Sequence, residues 1–259
     1  MKANQRWLQQ LAKLGLLLMV GVSMSACATG GSDTHWKEEV LLHDGSKLIV
    51  ERSLERGGRH EIGQQPPIKE QSLSFTLPST NEKVKWEDNF TEDVGGANFL
   101  PKLLEVHEGI AYLLVSPMGC LSYNKWGRPN PPYVIFKYHN KKWDRIALQE
   151  LPAEISKPNL IPSSPDNEVE KLGTRLVKAE MIQKIISEYG QPEYKTILRE
   201  AVPNVWSSCP KMVPYGKGGW LGLDWFSDQP TYEACSKFCE KKGVSPQDCP
   251  CEKLFKGGK

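Results

Sequence analysis

The stretch Glu38–Ser53, EEVLLHDGSKLIVERS, holds two extended runs on either side of an Asp44-Gly45 pair. Asp-Gly accepts the positive backbone angles of a tight turn, so these residues predict a β-hairpin. Three later stretches share the construction. Ser72–Asp88 turns between Pro78 and Asn81, Lys102–Pro117 at Glu108-Gly109, and Tyr133–Leu148 at Asn140-Lys141. The turns recur at roughly thirty-residue intervals, the kind of period that marks repeat architectures. Four hairpins are too few for most closed propellers, so a twisted antiparallel sheet or a sandwich is expected.

Beyond the hairpins the pattern changes. Leu151–Pro165, LPAEISKPNLIPSSP, is rich in proline and predicts a linker or an extended crossing. Helix is expected next, because Ile182, Ile185, Ile186 and Tyr189 share one face and Gly190 with Pro192 stops the run. Pro192–Glu200 is readable as a second short helix or as a strand. The fold class is therefore α+β: an antiparallel, hairpin-rich β domain followed by a small helical, disulfide-stapled C-terminal region. The expected divisions are a leader over 1–26, a tether over 27–35, the β-rich domain over 36–151, a linker and helical segment over 152–203, and a cysteine-rich aromatic region over 204–259.

The compartment is legible at the N-terminus. Lys2, Arg6 and Lys13 precede an uncharged run, Leu14–Ala26, shorter than the roughly 20 apolar residues a membrane span needs. This is the build of a cleaved export signal. Met24-Ser25-Ala26-Cys27 resembles the lipobox of bacterial lipoproteins, with Met24 in place of the family's usual Leu. The resemblance implies cleavage after Ala26 and acylation of Cys27, which would anchor the chain in a lipid bilayer. By analogy with enterobacterial sorting, Ala28 rather than Asp after that cysteine implies the outer membrane, with the protein facing the periplasm. Removing the leader takes away three bases and no acid, leaving 30 bases against 31 acids, so no affinity for nucleic acid is inferred.

Export bears on the remaining six cysteines, Cys120, Cys209, Cys235, Cys239, Cys249 and Cys251. An even number in an oxidising compartment predicts disulfides. Cys235 and Cys239 lie one helical turn apart, between Pro230 and the stop at Gly243, and Ser245-x-x-Asp248 begins the returning segment with a capping pattern. Two antiparallel segments joined by a tight turn nest their bridges, which predicts Cys239–Cys249 and Cys235–Cys251 and leaves Cys120 to pair with Cys209. The C-x-x-x-C and C-x-C spacings differ from those of zinc knuckles, and no C-x-x-C suggests redox work.

No catalytic signature is present, and the chain is read as a non-enzyme without a cofactor. Gly216–Gly222, GKGGWLG, superficially suggests a phosphate loop, but the flanking Pro214, Trp220 and Trp225 favour a flexible turn. Glu87, Asp88, Glu92 and Asp93 cluster beside Trp86 and Phe90, a pattern shared by glycosidase carboxylates and ordinary acidic loops. Trp86, Trp126, Arg128, Trp220 and Trp225 are candidates for a binding surface, with burial in the core as the competing reading. Cys120–Tyr133 reads as a long proline-stiffened loop. His43, His107 and His139 each precede a turn, where they could converge on a metal or simply suit strand ends, and no metal site is assigned. Three functions follow: a binding or scaffold lipoprotein meeting another envelope protein, a peptidoglycan or glycan binder or hydrolase, and a metal-handling lipoprotein.

Overall fold

Each of the four expected turns closes a hairpin in the computed structural model of the chain, which describes residues 33–204 and 206–257. The first two hairpins join into one sheet. β1 (Asp33–Leu41), β2 (Lys47–Arg56), β3 (Ile68–Thr76) and β4 (Lys83–Asp88) form an antiparallel meander. The residues Asp33–His35, expected in a tether, already belong to β1, because Asp33 is in register with Glu55. The other two hairpins form a second meander of β5 (Phe99–His107), β6 (Ile110–Pro117), β7 (Val134–His139) and β8 (Lys142–Ile146). Asn140 and Lys141 both adopt left-handed φ values, 50° and 62°, as a two-residue hairpin turn requires.

Alternation then stacks the sheets. Val50, Leu73 and Val84 point from the first sheet into one core with Leu104, Leu113 and Val115 from the second. The arrangement is a sandwich. The second sheet is covered on its other face as well: Leu103, Tyr112, Leu114 and Ile135 pack against Leu151, Ile155 and Ile197. Leu151–Pro165 is thus an extended crossing with a buried apolar side. Asn159 fixes its path, since its side chain accepts from the Leu104 amide (2.9 Å) and donates to the carbonyls of Leu104 (2.8 Å) and Leu41 (3.1 Å). These bonds occupy the free edge of β5 and tie it to β1.

The helices fill the remaining apolar faces. α1 (Gly119–Lys125) occupies the first half of the expected Cys120–Tyr133 loop and buries Ser122 and Tyr123. α2 (Pro165–Leu172) and α3 (Ala179–Glu188) enclose β9 (Leu176–Val177), a short strand parallel to β1. Ile182, Ile185 and Ile186 of α3 join Trp36, Leu54 and Ile68 of the first sheet in a second core. α4 (Pro192–Lys195) is a single turn, and the residues after it form no strand.

The C-terminal region has its own small core. β10 (Met212–Tyr215) and β11 (Gly219–Gly222) pair as a hairpin, followed by α5 (Asp224–Ser227), α6 (Tyr232–Lys242) and α7 (Cys251–Phe255). The Gly216–Gly222 segment is accordingly a hairpin turn and strand, with Gly218 at a φ of 71°. Thr231 caps α6 by accepting from the Ala234 amide, and Gly243 ends it in the left-handed conformation. Ser245–Asp248 forms a turn closed by its own side chains and does not cap a helix, because α7 starts only at Cys251. Val213, Phe226, Cys235, Cys239, Val244 and Cys251 pack together at the centre.

Candidate functional site

Two hairpin ends meet at one end of the sandwich and bring two of the three pre-turn histidines together. His43 follows β1 in the first sheet, and His107 ends β5 in the second. Their rings lie 5.0 Å apart between centroids, with His107 Nδ1 3.2 Å from His43 Nε2. A carboxylate stands behind each ring. Glu105 Oε1 is 3.0 Å from His43 Nδ1, and Glu154 Oε1 is 3.3 Å from His107 Nε2. The four side chains form one line, carboxylate–imidazole–imidazole–carboxylate. His139 ends β7, is exposed, and stands outside this line.

Local folding makes the arrangement firm at one end. Glu105 and His107 alternate with Leu104 and Val106 along β5, so they face away from the central core. Glu105 has a side chain only 2% exposed, and it accepts from the backbone amides of His43 and Val106, each at 3.0 Å. Its hydrogen bond to His43 raises the imidazole pKa above the ordinary value, against the smaller opposing effect of burial. A cleft of about 530 Å³ begins here, with Leu41, His43, Glu105, Glu154, Asn159 and Gln183 in its walls.

The aromatic candidates do not share a surface. Trp86 is 5% exposed in the central core, near Phe99 and Phe136. Its position on β4, alternating with exposed Lys85 and Glu87, turns it inward. Trp126 is half-buried on Phe99, with ring centroids 4.6 Å apart. Arg128 lies over the Tyr123 ring and donates to the carbonyls of Cys209 and Pro210, where it fastens the C-terminal region. Trp220 donates its Nε1–H to the Asp93 carbonyl at 2.9 Å. Trp225, 51% exposed beside Phe238, is the one ring of the set that solvent reaches freely.

The acidic cluster is dispersed too. Asp88 points inward and accepts from the amides of Asn98 and Phe99 and from the side chain of Gln71. Burial raises its pKa, and those donors oppose the rise. Asp93 pairs with Lys125 at 2.9 Å and Glu87 with Lys85 at 2.6 Å, while Glu92 is exposed. The acids are adjacent in sequence, but Asp88 points inward while Glu87 and Glu92 are exposed.

Sulfur chemistry is concentrated at the other end of the chain. The structure contains the disulfides Cys235–Cys251 and Cys239–Cys249, nested as expected from the sequence, and Cys120–Cys209, the remaining pair. The Sγ atoms of Cys239, Cys249 and Cys251 lie within 4.8 Å of one another. This closeness follows from two adjacent bridges. A sulfur in a disulfide has no thiolate charge with which to hold a metal.

The leader, the lipobox and Cys27 lie outside the described residues. Among those described, no helix is long and apolar enough to cross a membrane. Comparison of the chain with protein-family models, with curated proteins and with solved structures finds no match.

Proposed function

We propose that this protein is an exported lipoprotein, held at the bacterial cell envelope through acylated Cys27, with a non-enzymatic binding or scaffold role toward another envelope component. One observation carries the reading. All six cysteines beyond Cys27 are paired in three disulfides, a state that persists in oxidising compartments and is rare in the cytosol. The lipobox-like Met24–Cys27 then supplies the tether, and several acyl chains at roughly 0.8 kcal/mol per buried CH2 hold it durably. Binding is favoured over catalysis because Asp88 is engaged by backbone amides in the interior while Glu87 and Asp93 pair with lysines. The cleft beside His43 is the concave surface a ligand or partner segment would enter.

The test has two arms. A fatty-acid analogue labels the wild-type protein and not Cys27→Ala, and crosslinked envelopes return a reproducible partner or peptidoglycan fragment. Equal labelling of both proteins overturns the anchor, and crosslinking without any product overturns the binding role.

A second reading, metal handling, draws on the three close cysteine sulfurs. It requires that Cys239–Cys249 and Cys235–Cys251 be reduced, since thiolates are the ligands. Elemental analysis before and after reduction separates the two. More metal in the reduced protein than in the oxidised one supports the cysteine site, and equal content in the two states removes it.

A further inference from the structure

We propose that His43 and His107 hold one divalent ion of the class that imidazole favours, Zn2+ or Cu2+, between His43 Nε2 and His107 Nδ1. This takes up the histidine arm of the metal-handling reading and uses none of the cysteines.

The outer nitrogens carry the argument. His43 Nδ1 faces Glu105 and His107 Nε2 faces Glu154, at 3.0 and 3.3 Å. A neutral imidazole has one N–H, and a carboxylate attracts it. With both rings neutral and both protons outward, the inner nitrogens would be lone pairs 3.2 Å apart. Two lone pairs at that distance repel each other unless something positive lies between them. Two imidazoles bound at about 2.0–2.1 Å to a tetrahedral ion place their nitrogens about 3.3 Å apart. The 3.2 Å spacing matches that of two such ligands, and equally that of an N–H···N hydrogen bond between the rings.

Glu105 and Glu154 then act as outer partners. A carboxylate behind a ligating imidazole fixes its tautomer and orientation and strengthens its donation. Glu105 is well suited, because two backbone amides hold it and its side chain is 2% exposed. The two negative charges compensate the ion. The histidine side chains are 23% and 19% exposed, and His43 borders the cleft, so water or a small ligand can complete the coordination. The competing occupant is a proton shared between the rings.

Titration calorimetry on the full chain, in detergent, without a histidine tag and with disulfides intact, tests the site with Zn2+ alone. One ion per chain is expected. His107→Ala should weaken binding at least tenfold, and Glu105→Gln by about 10–100-fold. His60→Ala, on an exposed loop, should change nothing. Nitrogen-15 NMR should show His43 Nε2 and His107 Nδ1 moving on addition of Zn2+. The second measurement decides the matter if Glu105→Gln does not fold. Absence of heat and shift means a shared proton only and overturns the proposal. Undiminished affinity in His107→Ala, or binding only after reduction, overturns it as well. Neither result touches the labelling of Cys27, so this site and the proposed envelope role fail separately.

Discussion

Glu38 and Arg52 sit diagonally across the β1–β2 pair, 2.7 Å apart, with side chains 0% and 2% exposed. The carboxylate also accepts from Trp36 Nε1 at 2.8 Å and from the Ile161 amide at 3.1 Å. One charge pair thereby joins the first sheet to the crossing segment. Arg52→Met leaves a buried carboxylate without its cation, a change that costs about 3–5 kcal/mol. Denaturant unfolding should show that loss. Adding Glu38→Gln should recover part of it, because Gln removes the charge, although its single amide oxygen accepts from only one of Trp36 Nε1 and the Ile161 amide. A loss below about 1 kcal/mol would mean that water reaches the pair.

Trp86 and Trp225 should respond very differently to the same substitution. Trp86→Ala opens a cavity among Phe99, Phe136 and their neighbours and should cost about 3–5 kcal/mol. Trp225→Ala removes an exposed ring and should stay within about 0.5 kcal/mol. If Trp225→Ala also abolishes recovery of a crosslinked partner while stability holds, the exposed ring belongs to the docking surface. An unchanged yield removes Trp225 from it.

The hairpins were legible because their signals are local. Asp44-Gly45 and Glu108-Gly109 carry their turn chemistry within two residues, and the strands around them alternate. The nested disulfides were legible for the same reason, since Cys235 to Cys251 spans one helix and one return. Distant pairings left no such trace. His43 and Glu105 are 62 residues apart and meet only because two sheets stack. The pre-turn position marked His43 and His107, but nothing nearby marked Glu105 or Glu154 as their partners. Sequence proximity misled in the opposite direction at Glu87–Asp93, where strand alternation sends Asp88 inward and Glu87 outward.

The three disulfides should contribute unequally. In the chain-entropy account, the bridge that closes the larger loop restricts the unfolded chain more. Cys120–Cys209 spans 89 residues, against 16 and 10 for the C-terminal pair. That account gives about 4–5 kcal/mol for the first and about 3 kcal/mol for each of the others. Paired Cys→Ser variants compared by denaturation test the order. Loss of Cys239–Cys249 should loosen α6 and α7, readable as faster amide exchange there, and leave exchange in the sandwich strands unchanged. Equal losses for all three variants would contradict the ranking.

Lys102 is the charge most at odds with its surroundings, and its behaviour with pH can be derived. It is 1% exposed on β5, with Nζ 3.2 Å from the Glu193 carbonyl and 3.5 Å above the Tyr194 ring. Burial pushes its pKa down from 10.5 to about 7, with Glu193 opposing the fall. The same enclosure pushes the Tyr133 phenol up to about 12. Below pH 7 the ammonium is protonated in both the folded and the unfolded chain, and the full penalty of burying it is present. Between about pH 7 and 10.5 the unfolded chain holds the proton more tightly, so stability from this group rises with pH. Lys102→Met removes the penalty and should stabilise the protein by roughly 2–4 kcal/mol at pH 6, the Tyr194 ring having offset part of the cost. The advantage of the variant should shrink steadily toward pH 10 as the wild-type lysine becomes neutral on folding. Urea midpoints of both proteins at pH 6, 8 and 10 measure this difference, and groups common to the two cancel. A gap that stays constant across the range would mean that Lys102 keeps its proton in the folded state, held by Glu193 and Tyr194 more strongly than burial repels it.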